Sequence, residues 1–147
     1  MLISWANNKK CKYHIVRLPG IVGPGAHQTF LSNLAHCLLN ENKMEIHHHE
    51  SLYNHGVYID NLCDFLFSLS KKTNCSTICQ LGCDSPLKLI TVVELLSHTL
   101  KKSPQNIYFS QLLSGPIDIS NAIELGYKSH STETLINKIL NLQLLKC

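Results

Sequence analysis

A chain of 147 residues is long enough for one domain with a hydrophobic core, and 44% apolar with 16% charged residues is an ordinary globular balance. No apolar run approaches the roughly 20 residues that span a bilayer. In the opening MLISWANNKKCK the charges follow the short apolar stretch, the reverse of a secretory signal, so a cytoplasmic protein with no membrane partner is expected. The net charge of +3 is scattered over pairs such as Lys9-Lys10, Lys71-Lys72 and Lys101-Lys102 and a single arginine, Arg17. Nucleic-acid modules gather such charge on one face with aromatics between, so no nucleic-acid partner is expected.

Residues Met1 to Asn8 read as the tail of a helix, since Leu2, Ile3 and Trp5 have no cap before them. Tyr13 to Leu18 is rich in β-formers and runs into Pro19-Gly20, which predicts a strand and then a loop from Gly20 to Gly25. Helical spacing of Phe30, Leu31, Leu34, Leu38 and Leu39 predicts a helix over about 28–40. Met44 to His48 and Gly56 to Ile59 read as two extended pieces with a polar turn between them, a hairpin. Asp60 is placed to cap a helix over 61–69, with Leu62, Phe65, Leu66 and Leu69 on its face. Thr77 to Gly82 reads as a strand. Thr91 and Glu94 have the spacing of a capping box for a helix ending near Lys102. Ile107 to Phe109 reads as a brief strand. Asp118 opens a short helix that stops at Leu125-Gly126, and Ser131 or Thr132 starts the last one, with Leu135, Ile139 and Leu142 along one side.

Cysteines number seven, an odd count. Cys37, Cys63 and Cys79 sit in apolar stretches, as buried free thiols do. Cys75, Cys79 and Cys83 are spaced by four, which is not the pairing of a zinc ribbon. In the run His47-His48-His49, only His47 and His49 share a strand face, and no third ligand is evident, so no metal site is expected. No serine or cysteine stands in a nucleophile motif, and no residue qualifies as catalytic. Gly20, Gly23 and Gly25 are spaced G-x-x-G-x-G and interrupted by Pro24, which is not the dinucleotide fingerprint.

Taken in order, four segments resemble one family. Val16 to Gly25 is similar to the strand and loop after the active-site helix of extended short-chain dehydrogenases, the NAD-dependent epimerases and dehydratases. Gly56 to Leu62 is similar to that family's hydrophobic-x-hydrophobic-Asp-x-Leu stretch. Gln80-Leu81-Gly82 with Thr91 to Leu95, and Asp118 to Tyr127, resemble its later elements. The resemblance implies an α/β fold, the C-terminal part of a Rossmann-type sheet with a small substrate-side subdomain, over residues 1–147 as one partial domain.

It also implies NAD or NADP as cofactor and a sugar-type substrate oxidised and re-reduced at a hydroxyl carbon. Pro19, Gly20, Ile21 and Val22 would lie beside the nicotinamide carboxamide. Asn54 and His55 fall on the substrate side, where nucleotide-sugar members usually carry an arginine. Tyr53-Asn54-His55 offers no such cation, which argues against a diphosphate substrate. None of the five tyrosines has Lys four residues later, and no Gly-rich pyrophosphate turn is present. Family spacing places the Tyr-x-x-x-Lys pair shortly before Met1, and in the family the dinucleotide-binding half with its Gly-rich turn comes first. The expectation is therefore a chain inactive alone and not binding cofactor alone, with an exposed strand edge that pairs with an upstream half-protein or another copy. A non-catalytic interaction module is the alternative.

Overall fold

The computed structural model describes residues 1–26, 29–47, 50–104, 107–110 and 115–144. The elements are α1 (Leu2–Asn8), β1 (His14–Arg17), β2 (Gly20–Val22), α2 (Phe30–Asn40), β3 (Met44–His47), β4 (Leu52–Tyr53) and β5 (Gly56–Tyr58). They continue with α3 (Ile59–Ser70), β6 (Thr77–Gln80), β7 (Leu87–Lys88), α4 (Leu89–Leu100), β8 (Ile107–Ser110), α5 (Ser120–Glu124) and α6 (Thr132–Leu144). The class is α/β, as expected.

Among the described strands, three of the four pairs are parallel: β1 with β6, β2 with β5, and β3 with β8. Only β4 and β7 among the described strands run antiparallel. Parallel partners cannot be joined by a tight turn, so each pair closes a long stretch of intervening chain. This corrects the expected hairpin. Met44–His47 and Gly56–Tyr58 do not pair with each other; each takes a partner distant in sequence.

Local chemistry explains most boundaries. α2 opens on Thr29, whose hydroxyl accepts from the Ser32 amide while the Ser32 hydroxyl accepts from the Thr29 amide. α5 follows Asp118, whose carboxylate accepts from both the amide and the hydroxyl of Ser120. It ends at Gly126, where φ is +97°. The Ser131 hydroxyl accepts from the Thr134 amide and starts α6.

Other expectations give way. Gly20 to Val22 is a strand rather than a loop, because its backbone finds the Gly56–Tyr58 ladder. Tyr58, not Asp60, occupies the N-cap of α3, and Asp60 is a first-turn acid favoured by the helix dipole. α4 begins at Leu89, so Thr91 lies inside the helix and no capping box forms there. Apolar burial of Leu89 draws the helix start forward. Cys79 is buried and Cys37 half-buried, but Cys63 is exposed on the outer side of α3.

Two cores result. The larger gathers Leu31, Leu34 and Leu38 of α2, Val92, Val93 and Leu96 of α4, and Leu135, Ile136 and Ile139 of α6. The smaller packs Leu62, Phe65 and Leu69 of α3 against Cys79, Leu81, Ala122 and Tyr127. β2 and β5 lie between them, since Val57 belongs to the smaller core and Val22 to the larger.

Candidate functional site

β2 and β5 run side by side and in the same direction, with Gly20 opposite Gly56 and Val22 opposite Tyr58. Ligands of α/β proteins gather at the C-terminal ends of such strands. Here that end is formed by Gly23, which follows β2, and Ile59, which follows β5. A Cβ on Gly23 would fall 2.5 Å from Cγ2 of Ile59, so only glycine lets the exit of β2 pass this close to α3. A groove of about 440 Å³ opens there, lined by Pro19, Ile21, Gly23 to Ala26, Thr29 and Ile59. A second groove of about 360 Å³ lies across the same Gly23–Ala26 turn, bounded by Val22, Ser32, His36, Leu39, Ile139 and Leu142. Gly25 holds the turn with φ of +79°.

The strand register brings the two groups of expected site residues together. A Cβ on Gly20 would lie 3.4 Å from the His55 carbonyl oxygen, so the Pro19–Val22 and Asn54–His55 segments are neighbours though 35 residues apart. Pro19, Gly20 and Ile21 are partly exposed, and Val22 is buried. Among the described strands β2 pairs with β5 alone, so its second edge keeps backbone groups available to a ligand amide.

His55 is partly exposed, its ring 5.5 Å from that of Tyr53. Burial pushes its pKa down and favours the neutral imidazole. Asn54 is placed differently. It is 2% exposed, and its amide nitrogen donates to the carbonyls of Cys83 and Ile117 while its side-chain oxygen accepts from the Ile117 amide. Its backbone carbonyl accepts from Gly56 and Cys83. Asn54 clamps three segments together, and its polar atoms are spent on backbone.

Sequence reasoning passed over the network around this clamp. The Tyr127 hydroxyl donates to the Gly82 carbonyl, the Cys83 thiol to that of Gly56, and the Thr132 hydroxyl to that of Tyr53. Burial pushes the Cys83 thiol up to about 12, which makes it a packing group rather than a nucleophile. Burial likewise raises the Tyr127 and Tyr53 phenols. Tyr58 carries the Lys138 ammonium 3.8 Å above its ring, with the His130 ring 6.4 Å away. Nothing in one-dimensional spacing joins residues as distant as Tyr58 and Lys138. His47 ends β3 exposed, while His48 and His49 lie outside the described residues.

Solved structures of the same shape are known. The chain superposes with a TM-score of 0.76 on the UDP-glucose 4-epimerase of Thermotoga maritima, at 17% identity, over 99% of this chain and 50% of that one. The fold is that of the C-terminal half of an extended short-chain dehydrogenase. The dTDP-glucose 4,6-dehydratase of Bacillus anthracis in complex with NAD matches at TM-score 0.77 and 11% identity, over 97% and 48%. The UDP-glucuronic acid 4-epimerase of Bacillus cereus in complex with NAD matches at 0.74 and 16%, over 96% and 48%. This chain thus spans about half the length of the dehydrogenase-fold proteins it matches. No family model matches it, and no curated protein matches it in sequence. Among the described residues no helix is long and apolar enough to cross a membrane.

The residues present suit one end of a dinucleotide. The free edge of β2 and the neutral wall of Pro19 and Ile21 fit a flat carboxamide-bearing ring. The 147 residues contain no Gly-rich pyrophosphate turn, so they do not fit the phosphates.

Proposed function

We propose that this chain forms the substrate-binding portion of an NAD(P)-dependent epimerase, dehydratase or reductase acting on a sugar-type hydroxyl, in a cytoplasmic setting. The single observation that carries the reading is the groove where β2 and β5 end, in a fold shared with NAD-bound dehydratases and epimerases. The cofactor supplies hydride exchange with the hydroxyl carbon. The chain supplies shape: Pro19, Gly20, Ile21 and Val22 border the carboxamide, and His55 offers a neutral imidazole beside it. No Tyr-x-x-x-Lys pair occurs in the 147 residues, so the proton acceptor comes from a dinucleotide-binding half paired with β1. The chain alone is inactive and does not hold the cofactor.

The test is a titration of NAD into the purified chain, followed by calorimetry and by the fluorescence of Trp5, which is 57% exposed on α1. Silence at millimolar NAD, with binding once the segment encoded immediately upstream is co-expressed, is the expected result. Micromolar binding by the chain alone would overturn it. The exposed Trp5, Leu18 and Ile78 also favour a second reading, a non-catalytic interaction module. An upstream coding sequence with neither a Gly-rich turn nor a Tyr-x-x-x-Lys pair would select that one.

A further inference from the structure

We propose that the second of the two grooves, bounded by Val22, Leu39, Ile139 and Leu142, takes an uncharged ligand, an alcohol or ketone with an apolar body, rather than a nucleoside diphosphate. The inference rests on the dehydrogenase reading and narrows its substrate class.

Charge decides the matter. Of the 13 Lys and Arg residues only Lys146 lies outside the described ones, and none of the other twelve lines either groove. Lys138 comes nearest in sequence, just before Ile139, but its ammonium rests on the Tyr58 ring. Arg17 borders a separate hollow with Asp118 and Asn121. Lys88 and Lys102 are held by Glu50 and Glu41 at 2.7 and 3.1 Å. A diphosphate taken from water needs cations or a fan of free amides to replace its hydration. The helix start at this second groove, that of α2, closes on itself through the reciprocal Thr29 and Ser32 bonds. What remains is apolar wall from Val22, Leu39, Ile139 and Leu142 with the His36 imidazole at the rim, since the Thr29 hydroxyl donates to that of Ser32 and the Ser32 hydroxyl to the Thr29 carbonyl. That is a lining for a neutral body bearing one hydroxyl or carbonyl. Its volume, about 360 Å³, is in the range of small-molecule clefts.

The experiment follows amide signals of the isotope-labelled chain during titration with cyclohexanol and, separately, UDP-glucose. Cyclohexanol should move the signals of Gly23, Gly25, Ala26 and Thr29, with no dependence on salt. UDP-glucose should need at least roughly tenfold more ligand for the same shift. Leu142→Asp should abolish the cyclohexanol response while the Gly82 and Gly126 signals stay in place. Equal or tighter, salt-sensitive binding of UDP-glucose at these amides overturns the proposal. So does a silent pair of probes, or a response that survives L142D. Should cyclohexanol fail while NAD binds the assembled protein, only this inference falls. Should NAD fail while cyclohexanol binds, only the dehydrogenase reading does.

Discussion

The core beneath α4 and α6 and the pair β1–β6 are built from similar residues but end differently. In the first, Leu34, Ala35, Val92, Leu96 and Leu135 are at most 1% exposed, each covered by another part of the chain. In the second, Val16 and Cys79 face the smaller core, yet Ile78 is 43% and Leu18 47% exposed. Among the described strands β1 and β6 pair only with each other. One region is finished by the chain's own contacts. The other has apolar surface and backbone edges that its own contacts leave over, which is where a parallel sheet normally continues. Burial by the chain measures stability; surface left uncovered points to an interface.

The sharpest way to break that contrast is to delete apolar volume on each side. Leu135 is fully buried, and its Cδ2 lies where a Cβ on Gly56 would be, at 2.2 Å. Leu135→Ala should cost about 3–5 kcal/mol, whereas Ile78→Ala should stay within about 0.5 kcal/mol. Urea unfolding midpoints of the two variants decide it. Equal losses would mean that the β1–β6 face is packed in solution.

Asn54 ties β5 to the segments at Cys83 and Ile117 and gives the next largest effect. Asn54→Ala leaves the carbonyl of Cys83 and both backbone groups of Ile117 without these partners in a water-poor setting. About 2–4 kcal/mol of stability should go, measured by thermal unfolding. Asn54→Asp should be nearly as damaging, because a carboxylate cannot donate to two carbonyls. If N54A keeps the native midpoint, the clamp is not what ties residues 83 and 117 to β5.

Surface change should read out as association rather than stability. Ile78→Lys should leave the unfolding midpoint within about 0.5 kcal/mol of the parent. In sedimentation velocity, the parent should self-associate with rising concentration through this face, and I78K should remain monomeric. A monomeric parent would confine the edge to pairing with a different half.

How much of this was readable beforehand depends on the range of the interaction. Helices over 30–40 and 120–124 followed from local spacing and from signals within four residues, such as Asp118 with Ser120 and Gly126 at a helix end. The Thr29 and Ser32 bonds were equally local, a threonine and a serine three apart, but serine is a weaker cue than glutamate at that position. Thr91 and Glu94 had the stronger pattern and formed no box, because Leu89 is worth more buried inside α4 than as part of an extended entry. Strand pairing was not legible. Gly20 to Val22 carries loop-like residues and becomes β2 only through Gly56 to Tyr58, a parallel partner 36 residues on. The same register placed His55 beside Pro19 and Gly20, so the candidate site emerged from ordered motifs rather than from spacing. Asn54, expected on the substrate side, has the polarity of a binding residue, and nothing in the sequence marks its two carbonyl partners.

The smallest expected effect is a shallow dependence of stability on pH, and it belongs to the enclosed region rather than to β1–β6. Burial lowers the pKa of His130, the nearby Lys138 ammonium lowers it further, and Asp84 opposes them. Burial lowers that of His55 as well. In both cases the fold favours the neutral ring. As pH falls through about 6.5, the unfolded chain takes up protons that the folded chain resists, so stability falls with them. Above that range these two rings contribute no further change. Both keep contact with water, which screens the effect and keeps the slope slight. Replacing both, His55→Gln with His130→Gln, should flatten the denaturation midpoint between about pH 6.5 and 5 relative to the parent. A slope that persists unchanged in the double variant would place the titrating groups elsewhere than His55 and His130.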